Sequence, residues 1–168
     1  MYITHLGSGI AAGIVVILLF FVRIRYSIIL SVSAVVSGIA IQLLKHFLFP
    51  GYERPVVFFR GMAELYYIPG VDLHAYFSFP SGHTTTAFII FGLLAFISNR
   101  ESVKIIALMA SFIISYSRVY LSQHFLVDIL AGSFLGMIML LFFYWYFHTL
   151  KVTWINQPIQ HFFRPVKK

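Results

Sequence analysis

The sequence contains no cysteine. Disulfide frameworks and thiol chemistry are therefore excluded. It is also poor in charge. Asp, Glu, Lys and Arg together make up 10% of its 168 residues, against about 25% in a soluble domain. A solvated globular surface cannot be built from that composition. What fills the chain instead is apolar: 60% of residues are hydrophobic and mean hydropathy is +0.90. Together these describe an integral membrane protein of one domain. The N-terminus lacks the basic region of a cleaved leader, and a second apolar run follows the first within a few residues.

The net charge of +7 does not point to nucleic acid. The basic residues sit in short loops and the tail rather than along one soluble face, as anchoring charges of a membrane protein do.

A helix needs about 20 apolar residues to cross the hydrocarbon core. Uncharged runs predict an all-α bundle of about five transmembrane helices: Leu6–Val22, Tyr26–Leu44, His83–Ser98, Ile105–Ser117 and Ile129–Leu150. The fourth extends through its polar ends, Val103-Lys104 and Arg118-Val119. Gly9-x-x-x-Gly13 and Gly132-x-x-x-Gly136 fall inside the first and last, at the spacing that lets helices approach closely. Packing within the chain is the expected use.

With five spans the loops alternate sides. Arg23, Arg25, Arg100, Lys104, Lys151, Arg164, Lys167 and Lys168, eight of the twelve basic residues, fall on one side. The positive-inside rule makes that side cytoplasmic. The long loop Lys45–Pro80 and the turn between helices four and five then face outward. Residues 1–150 read as the membrane domain, and 151–168 as a basic, aromatic cytoplasmic tail at the interface. The middle of the outer loop, VVFFRGMAELYYIPG, reads as an interfacial segment with short helix.

Ionisable residues at membrane depth are expensive and mark function. Three groups lie at the outward end. Lys45 and Arg54-Pro55 form the first, Pro80-Ser81-Gly82-His83 the second, and Arg118, His124 and Asp128 the third. Three cations suggest a bound anion, with Arg suited to phosphate oxygens. Ser81, Gly82 and His83 stand where a helix begins, so free amides add to an anion site. Ser81 also suits an N-cap. Asp128 follows His124 at i+4, which places a carboxylate beside the ring and orients it as nucleophile or base. His83 lacks such a partner and fits an acid that protonates a leaving oxygen. The other histidines, His5, His46, His74, His148 and His161, read as structural.

A zinc site from His83, His124, Asp128 and His74 or Asp72 is the competing chemistry, but three converging cations repel a divalent ion. A transporter or channel for an anion, and a non-enzymatic scaffold, are the competing functions. Pore residues would be spread through the membrane depth, whereas these gather at one end.

Pro80-Ser81-Gly82-His83 and Ser117-Arg118-x5-His124-x3-Asp128 resemble two signature motifs of the type 2 phosphatidic acid phosphatase superfamily. Lys45 and Arg54-Pro55 resemble the remaining motif, with two residues more between them than the family pattern, a difference that loops absorb. The resemblance implies a metal-independent phosphatase without cofactor, acting through a phosphohistidine. It implies that His124 attacks phosphorus, Asp128 orients it and His83 protonates the leaving group. Lys45, Arg54, Ser81, Gly82 and Arg118 would hold the phosphoryl oxygens. Membrane members usually have six helices, one more than the runs here predict. The expected substrate is a lipid phosphate: undecaprenyl pyrophosphate, phosphatidylglycerol phosphate, phosphatidic acid or a lipid A phosphate. The expected place is a bacterial cytoplasmic membrane, with the site facing the periplasm or exterior. The aromatic loop Val56–Phe79 either lines lipid access or forms an interfacial belt.

Overall fold

The computed structural model describes residues 2–62, 65, 67, 68, 70 and 74–163. They form an all-helical bundle. A 3₁₀ turn, Tyr2–Gly7, leads into α1 (Gly9–Phe20) and α2 (Ile24–Leu43), which continues as a π-helical turn, Leu44–Leu48. A single-turn α3 (Pro55–Phe58) lies in the long loop. Then come α4 (Gly82–Ile97), α5 (Glu101–Tyr120) and α6 (Leu126–Thr149). The tail carries two 3₁₀ turns, Trp154–Asn156 and Ile159–Phe163. Lys167, Lys168, Arg164 and the loop residues Tyr66, Pro69 and Asp72 lie outside the described residues.

Among the described residues, three helical stretches are long and apolar enough to cross a membrane: Ile24–Leu48, Glu101–Tyr120 and Leu126–Thr149. The expectation of five is corrected in two places. α1 has 12 residues and α4 has 16. At the α-helical rise they reach about 18 and 24 Å, short of a hydrocarbon core of about 30 Å. The run Leu6–Val22 is apolar along its length, but its backbone breaks at Ser8. The Ser8 hydroxyl accepts from Ala11 N at 3.2 Å and caps α1, and the residues before it wind as 3₁₀ helix. Hydropathy registers neither event.

α4 is the centre of the bundle, packed on α5 and α6 and also touching α1 and α2. Ile29 and Leu30 of α2, Ile89, Ile90 and Leu93 of α4 and Leu140 of α6 form the core. Large apolar side chains such as Ile106, Phe134, Ile138 and Trp145 stay exposed. A bundle solvated by lipid keeps such residues outside and satisfies its backbone within helices.

Close packing of α4 on α6 depends on two glycines. A Cβ on Gly132 would lie 2.6 Å from the Ser81 carbonyl oxygen, and one on Gly136 would lie 2.6 Å from that of Thr85. This glycine pair packs within the chain, as expected. The other pair does not bring helices close, because a Cβ on Gly9 or Gly13 meets nothing within 4 Å.

Arg25 is not the free anchoring charge that its loop position suggests. It is buried. Its Nε donates to Asn156 Oδ1 at 2.7 Å, its Nη1 to the Phe147 carbonyl, and its Nη2 to the Leu150 and Val152 carbonyls at 3.3 and 3.2 Å. It therefore satisfies carbonyls that the C-terminus of α6 leaves unpaired. The Ile24 amide donates to the Gln157 carbonyl, so the tail is tied to the start of α2 at the same place.

Candidate active site

The three groups of polar residues converge at one end of the bundle, where α2 ends, α4 and α6 begin, and α5 ends. Asp128 organises the centre and is fully buried. Its Oδ2 accepts from the Phe125 amide at 2.9 Å, which caps α6 and starts the helix earlier than its apolar run suggests. The same oxygen accepts from the Ser78 hydroxyl and meets His124 Nδ1 at 3.3 Å. The main-chain carbonyl of Asp128 accepts from the Ser81 amide at 3.0 Å. One residue thus joins the loop, the start of α4 and the start of α6.

His124 lies in the turn between α5 and α6 and is 3% exposed. Burial pushes its imidazole down to about 4, against the raising effect of its hydrogen bond to Asp128; the nearby charge of Arg54 lowers it further. The ring is therefore neutral at pH 7, and its contact with Asp128 is a hydrogen bond rather than an ion pair. With Nδ1 donating to the carboxylate, Nε2 carries the free lone pair.

Arg54 is buried and rigidly held. Its Nε donates to the Tyr76 carbonyl at 3.0 Å, and Nη1 donates to the carbonyl and the Oε1 of Gln123 at 3.0 and 2.8 Å. Three of its five N–H groups are committed in this way, and the two on Nη2 have no hydrogen-bond partner among the described residues. Burial lowers the guanidinium from its ordinary value, while the charge of Asp128 opposes that effect.

Arg118 ends α5. Its Nη1 donates to Thr4 Oγ1 at 2.7 Å. Its Nε is a buried donor with no acceptor among the described residues, a group that an anion's oxygen satisfies. Lys45 is half-buried in the π-helical turn and feels the charges of Arg54, Asp128 and Arg118. The additional residues between Lys45 and Arg54 do not remove it from the site. His83, on the first turn of α4, feels Arg118, His124, His5 and Lys45. Ser81 is fully buried and caps α4, accepting from the Thr84 amide at 3.5 Å and the Thr84 hydroxyl at 3.1 Å. Its own hydroxyl proton remains to donate. Gly82 has open space where a side chain would stand. All eight residues named from the sequence are thus at one end of the bundle.

Among the described residues, no three His, Asp or Glu side chains come together as metal ligands; Asp72 lies outside them. His46 and His148 donate Nδ1–H to the carbonyls one turn back, of Gln42 and Tyr144, at 2.9 and 2.8 Å. They are structural.

Three site residues escape a reading of the sequence: Ser78, Gln123 and Thr4. Gln123 adjoins His124 in a polar break, which is a signal of a kind. Ser78 and Thr4 carry none. The aromatic loop residues also find partners here. Phe58 meets Phe125 edge-on with centroids 5.5 Å apart, and Phe79 meets Phe49 at 4.8 Å. A groove of about 440 Å³ between the long loop and the start of α6 is lined by Gly51, Tyr52, Glu53, Phe58, Phe125 and Val127.

These features define a multi-pass helical membrane protein with cations and histidines gathered at one end of the bundle. The chain belongs to the PAP2 superfamily, whose family model matches residues 26–151. It is similar to Phosphatidylglycerophosphatase B of Bacillus subtilis (strain 168), with 38% identity over 76 residues, 40% of this chain and 36% of that protein. The match thus spans about a third of the curated relative. Among solved structures, Aquifex aeolicus LpxE superposes with a TM-score of 0.72 at 27% identity, covering 86% of this chain and 82% of that one. The transmembrane PAP2 type phosphatidylglycerolphosphate phosphatase from Bacillus subtilis superposes with a TM-score of 0.68 at 25% identity, covering 89% and 75%.

Proposed function

We propose that this protein is a membrane lipid phosphatase that hydrolyses a phosphomonoester or pyrophosphate through a phosphohistidine. The single observation that carries this reading is a neutral, buried His124 held by Asp128 among Lys45, Arg54 and Arg118. Family membership and the likeness to lipid phosphatases support it.

In this mechanism Arg118 Nε, Arg54 Nη2, Lys45, the Ser81 hydroxyl and the Gly82 amide hold the phosphoryl oxygens. Fixed donors in a site of low dielectric stabilise charge that spreads over those oxygens in the transition state. His124 Nε2 attacks phosphorus as the bond to the leaving oxygen breaks, and His83, held as the imidazolium by the charge of the bound phosphate, gives one ring proton to that oxygen and is left neutral. Asp128 stabilises the positive charge on the His124 ring. Water then attacks the phosphohistidine, His83 takes a water proton, and the N–P bond breaks to release phosphate. The chain's own cations supply the charge that a metal supplies elsewhere. The lipid tail lies along the groove of Tyr52, Phe58, Phe125 and Val127. The basic loops and the tail 151–168 face the cytoplasm, and the site faces the other side of a bacterial cytoplasmic membrane.

The test is phosphate release by the purified protein across a panel of lipid phosphates, with and without EDTA. Release that survives the chelator and is lost in His124→Ala is the expected result. Full turnover by His124→Ala, or loss in EDTA restored by zinc, would sink the mechanism. No release from any lipid phosphate would sink the function.

A further inference from the structure

We propose that the polar cleft between the starts of α1 and α4 and the second half of α2 is a water inlet, which supplies the water that hydrolyses the phosphohistidine. This inference rests on the phosphatase reading and concerns its second step, in which the lipid takes no part.

In that step the proton of the attacking water passes to His83, so the water stands within hydrogen-bond reach of this ring. His83 is itself a wall of a cavity of about 140 Å³, bounded by the start of α1, the second half of α2 and the first turns of α4.

The chemistry of the walls suits water. Among the lining residues, Ile41 has the lone apolar side chain; Ser8, Ser37, Gln42, His83 and Thr86 are polar, and the rest are glycine. Ser8 accepts from Ala11 N and still has a proton to give. Ser37 donates to the Ala34 carbonyl and can still accept. A water takes about 30 Å³ of liquid volume and needs two to four polar partners, so the cavity has room for several and groups to hold them. One turn earlier on α2, Ser33 is fully buried and its hydroxyl has no partner among the described residues. The i,i+4 spacing sets Ser33 and Ser37 on one face of the helix. A hydrocarbon chain gains nothing from such walls and would strip their polar groups of partners.

The cleft has an inner end and an open end. Gly7 and Ser37 are buried and His83 is half-buried, whereas Gly9, Gly38 and Gln42 are exposed. At the inner end a Cβ on Gly7 would lie 2.6 Å from the His83 carbonyl oxygen, so the chain entering α1 rests directly on the first turn of α4. At the open end a Cβ on Gly9 or Gly38 would meet nothing within 4 Å. Glycine on both lips keeps clear a passage that side chains would fill. Gly9 thereby gains a use, although its helix is not drawn close to another there. The aromatic groove of Tyr52, Phe58, Phe125 and Val127 shares no residue with the cleft.

The step balances on this chain's own groups. The water oxygen bonds to phosphorus as the N–P bond breaks, the electron pair of that bond returns to His124 Nε2, and the water proton goes to neutral His83.

The experiment separates the two half-reactions by rapid quench. It follows the acid-labile phosphoenzyme formed from phosphatidic acid, phosphatidylglycerol phosphate or undecaprenyl pyrophosphate in mixed micelles. Gly9→Leu, Gly38→Leu and Gln42→Leu each put a branched apolar side chain at the exposed end of the cleft, and thermal melting checks that each folds. The folded glycine variants should form the phosphoenzyme within about twofold of the wild-type rate and break it down at least tenfold more slowly, so that it accumulates. Gln42→Leu, which removes a polar group without closing the passage, should slow breakdown less. Breakdown unchanged in the folded glycine variants would overturn the inference. Slower formation with unchanged breakdown would overturn it too and make the cleft part of the lipid's route. Either result leaves the phosphatase reading standing. No phosphate released from any of the three lipids would overturn both.

Discussion

Arg118 and Thr4 are bonded across the bundle, with Nη1 donating to Oγ1 at 2.7 Å. Thr4 is 5% exposed and belongs to the 3₁₀ turn that precedes α1. The bond sets the direction of a guanidinium whose Nε has no acceptor among the described residues. Thr4→Val removes the acceptor and leaves a buried donor unpaired, at a cost of about 1–3 kcal/mol. If the loss falls on substrate binding, KM for a lipid phosphate rises about tenfold or more with little change in kcat. Thr4→Ser restores it. A Thr4→Ser variant as impaired as Thr4→Val would mean that the methyl packing matters and the hydroxyl does not.

Asp128→Asn keeps the volume of the side chain and removes its charge. The amide can present its NH₂ to His124 Nδ1, which favours the tautomer with the proton on Nε2 and no lone pair for attack. A fall in kcat on the order of 10³–10⁴ is expected, as for other histidines deprived of an orienting carboxylate. Single-turnover kinetics with trapping of the phosphoenzyme checks it. Slow formation of the intermediate with normal breakdown fits the proposed role, while normal formation contradicts it.

The depressed titration of His124 has a sign that can be worked out. Unfolded, the ring takes up a proton near its ordinary value of 6.5; folded, it does so near 4. Between these values the unfolded chain holds the additional proton, so stability falls as pH falls through the window. Above about pH 6.5 the contribution is level. Thermal midpoints of wild type and His124→Gln, measured from pH 7 to pH 4.5, should diverge in slope, with the variant the less sensitive. Parallel curves would mean that His124 titrates as an exposed histidine does.

Gly132→Ala brings a methyl group to 2.6 Å from the Ser81 carbonyl oxygen. Backbone cannot swing aside as a flexible side chain can, so α4 and α6 must part. Overpacking of this kind costs about 1–3 kcal/mol. The melting temperature should fall, and activity should fall further than the loss of folded protein explains, because the two helices carry His83 and Asp128. Gly13→Ala, where a Cβ meets nothing within 4 Å, is the control and should melt like wild type.

The parts of the site that were legible in the sequence are those whose geometry is local. His124 and Asp128 are four residues apart, and Ser81 stands just before α4. The rest depends on contacts between distant positions. Arg54 bonds Gln123 across 69 residues, Ser78 bonds Asp128 across 50, and Arg118 bonds Thr4 across 114. No spacing rule reports such pairs. The spans show the same division. Apolar runs located five helices, because burial in lipid is a property of composition. They misjudged the length of α1, because a hydroxyl cap and a 3₁₀ turn interrupt a stretch whose hydropathy never falls. They also missed the early start of α6, where Asp128 accepts from the Phe125 amide and caps the helix.

Ser81 and Asp128 are joined main chain to main chain at 3.0 Å, and the bare α-carbons of Gly132 and Gly136 seat α6 on α4 below that bond. The interval between the two histidines is thus gauged by peptide groups and not by side chains that switch rotamers. The centre is thus set by the backbone of α4 and α6, and the side chains around it are free to vary without moving it.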